Sequence, residues 1–75
     1  MSTYSASLLA YLKEGATHSG LAEMIGKTQV AVTRYANGKR FPDADTARAI
    51  DDATDGAVPF DAWRAEFERR SGLVA

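Results

Sequence analysis

Apolar residues recur along the chain at helical spacing, in five short runs. Leu8, Leu9 and Leu12 stand at i, i+1 and i+4 and predict a helix over residues 5–13. Leu21, Ala22 and Ile25 mark a second over 18–25, with Thr17 as its N-cap. A third, over 29–36, is capped by Thr28 and turns Val32 and Tyr35 inward. Asp43 or Asp45 opens a fourth that runs to residue 53 with Ala47 and Ile50 inward. Pro42 blocks its backward extension and keeps Phe41 extended. In the fifth, over 59–70, Pro59 suits the first turn, and Phe60, Trp63 and Phe67 fall at i, i+3 and i+7 on one face. Period-two alternation is nowhere sustained, and the short branched run 30–33 is not enough to predict a strand. The expectation is an all-α, five-helix bundle forming one domain over residues 1–75.

Glycine supplies the punctuation. Gly15, Gly26, Gly38, Gly56 and Gly72 each follow a run with helical spacing, where a left-handed residue closes a helix. Gly20 differs, because it lies inside the second predicted helix at a cost of about 1 kcal/mol relative to alanine. Such a glycine points to close approach by another backbone, from a neighbouring helix in preference to a ligand.

Composition removes several function classes. The chain has 75 residues, no cysteine, one histidine and a net charge of −1. A chain of this length buries only about 60 % of its unfolded surface, so good helix packing or self-association must supply stability. Without cysteine there is no disulfide framework, thiolate metal site or cysteine nucleophile, and a reducing compartment is the natural setting. His18 alone does not make a zinc or haem site, and no Ser/His/Asp arrangement offers catalysis. No apolar run approaches the ~18 residues of a membrane span, and the first residues lack the basic and apolar blocks of a signal peptide. The expectation is a cytoplasmic, non-enzymatic chain with no cofactor, no metal, no membrane partner and no small-molecule ligand.

Charge distribution changes the picture that net charge gives. Lys27, Arg34, Lys39 and Arg40 against Glu23 leave residues 18–40 at +3, whereas Asp43, Asp45, Asp51, Asp52, Asp55 and Asp61 against Arg48 leave 41–62 at −5. Binding partners respond to local potential, so a basic middle can meet a polyanion although the whole chain is acidic. Asp51, Asp52, Asp55 and Gly56 do not make a calcium loop, since Ala53 and Ala62 occupy positions that need oxygen ligands. They read as a solvated face that keeps the domain soluble and disfavours unproductive docking on a polyanion.

The informative segment is residues 17–42, THSGLAEMIGKTQVAVTRYANGKRFP. Two short helices meet at Gly26. Ala22 allows close backbone approach, Gly26 supplies the left-handed turn and Val32 fills the angle beneath it, which is the steric recipe of a helix-turn-helix. With the caps, the basic loop and Pro42, the stretch LAEMIGKTQVAVTRYANGKRFP resembles the DNA-binding motif of the phage repressor and Cro family, also called XRE-like or lambda-repressor-like. That likeness covers about half the chain tightly, and TDGAVPFDAW resembles what often follows the motif in small Cro-like regulators.

A helix fits the major groove, where base edges present distinguishable donors and acceptors. On the third helix Gln29 suits adenine and Arg34 suits guanine, each pairing discriminating by roughly 1–3 kcal/mol, while Val30 or Ala31 suits a thymine methyl and Thr33 is a weaker reader. The resemblance implies base contacts at Gln29, Val30 and Arg34. Phosphate contacts are expected from Lys27, Thr28, Asn37, Lys39 and Arg40, and from the N-termini of the second and third helices. His18 stands where the family usually has a phosphate-binding glutamine, a departure that leaves one donor when the ring is neutral. Phe60, Phe67, Leu73 and Val74 are candidates for a homodimer interface, since palindromic half-sites mirror two-fold symmetry. The expected function is a dimeric, sequence-specific repressor of a phage or mobile-element operon, autoregulatory or anti-CRISPR-associated, in a bacterial cell or phage-infected host, with double-stranded DNA as partner. The competing class is a protein-interaction module, an antitoxin or adaptor that retains the helix-turn-helix. Steep salt dependence of DNA affinity distinguishes the first from the second.

Overall fold

The computed structural model describes residues 3–71, and these hold five helices and no strand. They are α1 (Thr3–Lys13), α2 (His18–Ile25), α3 (Gln29–Ala36), α4 (Ala44–Ala53) and α5 (Phe60–Ser71). α2 and α3 start and end where the apolar spacing places them. α1 begins two residues earlier than its leucine pattern, because Tyr4 adds a buried position one turn before Leu8. Pro59 stands just ahead of α5 instead of within it.

Three helices open on the side-chain caps their sequences contain. Thr17 accepts from the Gly20 N–H at 2.9 Å, Thr28 from the Ala31 N–H at 3.1 Å, and Asp43 from the Thr46 N–H at 2.8 Å. Of the two aspartates that could open α4, Asp43 is therefore the cap. α5 is opened differently: the Asp51 carboxylate, on α4, accepts from the Phe60 N–H at 2.9 Å. Asp51 is half-buried, so the run of aspartates is not wholly a solvated face. Gly15, Gly26, Gly38 and Gly56 all have positive φ as expected, while Gly72 lies outside the described residues.

α2 packs on α3 and α4, α1 on α3 and α5, and α4 on α5. Their shared core contains Leu8, Leu12, Leu21, Ala22, Val32, Tyr35, Ala47, Ile50 and Trp63 from the predicted inward positions, joined by Tyr4, Ala36 and Val58. Leu9 and Ile25 are only partly buried and pack against its edge. At the α2–α3 crossing Ala22 and Val32 are buried, and Gly26 sits at φ 72° with its N–H directed at the Ala22 and Glu23 carbonyls. A side chain on a left-handed residue costs roughly 1–2 kcal/mol, which is why glycine stands at this turn.

Burial also places polar groups inside. The Tyr4 hydroxyl is buried with no hydrogen-bond partner among the described residues, and burial, reinforced by Asp51, pushes its ionisation well above the usual phenol range. Thr54 closes α4: its hydroxyl donates to the Ile50 carbonyl at 2.7 Å and accepts from the Val58 N–H at 3.1 Å. Glu66 is buried on α5, with one oxygen 2.6 Å from Arg69.

Asp43 yields the first prediction. The hydrogen bonds from Thr46 hold its carboxyl below the usual range, helped by the nearby Lys27 charge. A carboxyl lowered on folding adds stability above its unfolded value, and that stability is lost as pH falls through the lowered folded value. Asp43→Ala should cost about 1 kcal/mol in urea unfolding at neutral pH. The difference from wild type should shrink in acid, where the wild-type carboxyl is protonated.

Candidate nucleic-acid interface

α3 has two faces. Val32, Tyr35 and Ala36 enter the core, while Gln29, Val30 and Arg34 are exposed on the other side. Val30 is 58 % exposed, which for a valine is a substantial apolar surface in water. Thr33 is half-buried at the margin, and its hydroxyl donates to the Gln29 carbonyl at 3.0 Å. That bond uses the only hydroxyl proton, so Thr33 can offer a base edge only acceptor lone pairs or its methyl group. Thr28 has the opposite arrangement. Its oxygen accepts from Ala31, and its proton is left to donate outward.

Two open grooves run along the flanks of this face and share Val30 and Arg34. One is lined by Gln29, Thr33, Asn37 and Lys39. The other contains Lys27, Thr28 and Arg40, beside Gly26, Ala31 and Tyr35. All the expected base-reading residues, and all the expected phosphate-binding residues except His18, therefore converge on one surface. Cations stand on both flanks, with Lys39 on one side, Lys27 and Arg40 on the other, and Arg34 between them. His18 lines neither groove. It is the first residue of α2 and half-buried, next to the Thr17 cap.

The helix N-termini add fixed donors. The amides of Gln29 and Val30 in α3, and of His18 and Ser19 in α2, precede the first possible intrahelical acceptor and belong to the positive ends of their helices. Lys27, in the turn between the two helices, also lies close enough to Asp43 to lower its carboxyl.

The chain after α3 folds back onto it. Lys39 and Arg40 both donate their backbone N–H to the Arg34 carbonyl, at 2.9 and 3.3 Å, and Asn37 donates to the Thr33 carbonyl at 3.0 Å. Ser5 of α1 donates to the Tyr35 carbonyl at 3.0 Å and fixes the same helix end from beneath. Beyond Arg40, Phe41 stacks on Trp63 with ring centroids 5.5 Å apart, and the Trp63 indole N–H donates to the Pro42 carbonyl at 2.8 Å. Sequence reasoning treated Phe41 only as the extended residue before a proline and overlooked Ser5. An aromatic residue immediately before a proline, after an exposed basic pair, was the available signal for Phe41. A lone serine on an otherwise apolar helix was the signal for Ser5.

The residues assigned to self-association differ in their surroundings. Phe60 is half-buried, stacked on Trp63 at 5.1 Å and covered by the Arg48 guanidinium at 4.2 Å. Phe67 stacks on Trp63 at 5.0 Å but remains 42 % exposed. Leu73 and Val74 lie outside the described residues.

Two short helices closed by a left-handed glycine, with a polar, cation-flanked outer face on the second, define a helix-turn-helix DNA-binding protein. A helix-turn-helix family model matches residues 10–60, and the chain belongs to this XRE/lambda-repressor-like family of DNA-binding transcription regulators, which is generally non-enzymatic. No curated protein and no solved structure matches it. Among the described residues no helix is long and apolar enough to cross a membrane, and no three potential ligands cluster as a metal site.

Gly20 supplies the second prediction. A Cβ there meets no neighbouring backbone or ligand space; it meets the Thr17 hydroxyl at 2.8 Å, inside the cap itself. The close approach expected from sequence is thus a side chain of the preceding turn. Gly20→Ala should not deliver the ~1 kcal/mol of helix propensity it adds, because it dislodges a cap of similar value. In a Thr17→Ala background the same change should stabilise, by roughly 1 kcal/mol in denaturant titrations.

Proposed function

We propose that the chain is a sequence-specific transcriptional repressor, the 75 residues acting as one DNA-binding domain. It binds an inverted-repeat operator as a homodimer, with one α3 in the major groove of each half-site. The observation that supports this best is the outer face of α3, where Gln29, Val30 and Arg34 are exposed together between flanking cations. Gln29 and Arg34 offer bidentate hydrogen bonding to adenine and guanine, and Val30 an apolar contact to a thymine methyl. Lys39 and Asn37 on one flank, with Arg40, Thr28 and Lys27 on the other, bind phosphates and set register. His18 adds a contact at the start of α2.

Phe67, with Leu73 and Val74, is where two copies meet, since Phe60 is already engaged by Trp63 and Arg48. Occupancy of the operator then blocks polymerase. A phage or mobile-element operon in a bacterial cytoplasm is the setting this reading favours, autoregulation included.

Selection of duplexes from a random pool at about 150 mM salt tests the reading as a whole. An inverted repeat with half-sites about one helical turn apart is the expected product. A lone half-site removes the symmetric dimer, and no enrichment favours the protein-interaction module. Arg34→Ala should relax preference at one base pair per half-site by roughly 1–3 kcal/mol. Lys39→Ala should weaken all sequences alike and reduce the salt slope by about 1.

His18 supplies a separate test. His18→Ala should weaken binding to all duplexes alike, as loss of a phosphate contact does. Unchanged affinity in the variant removes His18 from the interface.

A further inference from the structure

We propose that Trp63, on a helix that presents no side chain to either groove, is a positioning residue for the phosphate contacts of Lys39 and Arg40; the inference rests on the DNA-binding reading above. Residues 38–43 belong to no helix, and residues 37–40 are exposed. Exposed cations in irregular backbone hold a geometry only if something outside them restrains it, because ordering each residue costs about 1–2 kcal/mol of conformational entropy.

Restraint exists on both sides of this pair. On the N-terminal side the amides of Lys39 and Arg40 share the Arg34 carbonyl, and Gly38 donates to the Tyr35 carbonyl at 3.3 Å. On the C-terminal side every anchor leads to Trp63 or its neighbours. Its ring lies parallel to Phe41 within 11°, its N–H holds the Pro42 carbonyl, and the Pro42 side chain is fully buried. Phe41 is further fixed by an edge contact from Tyr4 at 6.1 Å and by the Arg70 guanidinium 4.6 Å from its ring. The two cations are thus a short span between the end of α3 and a clamp supplied by α5. Releasing the clamp bears on the span, whereas Gln29, Val30 and Arg34 are placed by α3.

The test is Trp63→Phe in the full chain, which keeps an aromatic ring in the stack and deletes the indole donor. DNA affinity is read at a temperature where thermal melts show the variant folded. The expected result is a several-fold loss on the selected duplex, a salt slope shallower by about 1–2, and unchanged base preference. In a Lys39→Ala/Arg40→Ala background Trp63→Phe should produce no further loss, since the residues it positions are gone. A role in stability alone predicts an equal loss in both backgrounds and an unchanged slope, and either result overturns the proposal.

If Trp63→Phe does not fold, Phe41→Leu serves in its place, retaining apolar volume while removing the stack and the Arg70 contact. Amide exchange separates this proposal from the reading beneath it. Faster exchange at Lys39 and Arg40, with α1 core amides unchanged, supports the clamp. Unchanged exchange at those two amides overturns it. A wild-type chain that binds no DNA overturns the DNA reading, and the exchange measurement still decides the clamp.

Discussion

The hydrogen bond from the Trp63 indole to the Pro42 carbonyl joins two parts of the chain 21 residues apart. Pro42 lies in the segment that carries the chain from α3 into α4, so this contact fixes the direction of that passage. The indole is buried and needs a partner for its N–H, and the proline carbonyl faces the same interior. Around it the stacked rings of Phe41, Phe60 and Phe67, with Arg48 and Arg70 laid over two of them, build a lateral wall from α5 and the loop after α3. A core as small as this one has few such wide contacts, and much of the α1, α4 and α5 packing converges here.

The helices α2 and α3 and the start of α4 rely on short-range chemistry instead. Thr17, Thr28 and Asp43 cap three consecutive helices, and Gly26 closes the turn between α2 and α3. Each of these is decided within a few residues, which lets two eight-residue helices hold a shape that neither would keep alone. Their tertiary partners are correspondingly simple: small Ala22 permits the approach, and Val32 occupies the space beneath the turn.

That difference explains what could be read from the chain. The limits of α2 and α3, their caps and the glycine turn were legible because apolar period, cap residue and turn residue act locally and agree. The exposed face of α3 was legible for the same reason, since exposure follows from its period once Val32 and Tyr35 are known to be buried. Contacts made by polar groups at long range were not legible. Asp51 opens α5 from another helix, Ser5 supports the end of α3 from α1, and Trp63 reaches Pro42; none of these pairings leaves a periodic trace. Gly20 was misread for a related reason. Its neighbour is not a distant backbone but the Thr17 hydroxyl, a contact visible only once the cap geometry is built.

On α3 the residues that fold the protein and those that meet solvent are almost disjoint sets. Val32, Tyr35 and Ala36 belong to the core, whereas Gln29, Val30 and Arg34 contribute nothing to it. Substitutions on the outer set are consequently close to free of any folding penalty, and many combinations of side chains are open to a lineage carrying this scaffold. Thr33 is the one link between the sets, because its hydroxyl is tied to the backbone of Gln29. A scaffold of this kind can remodel its outer surface by drift at three positions while its stability stays under separate selection.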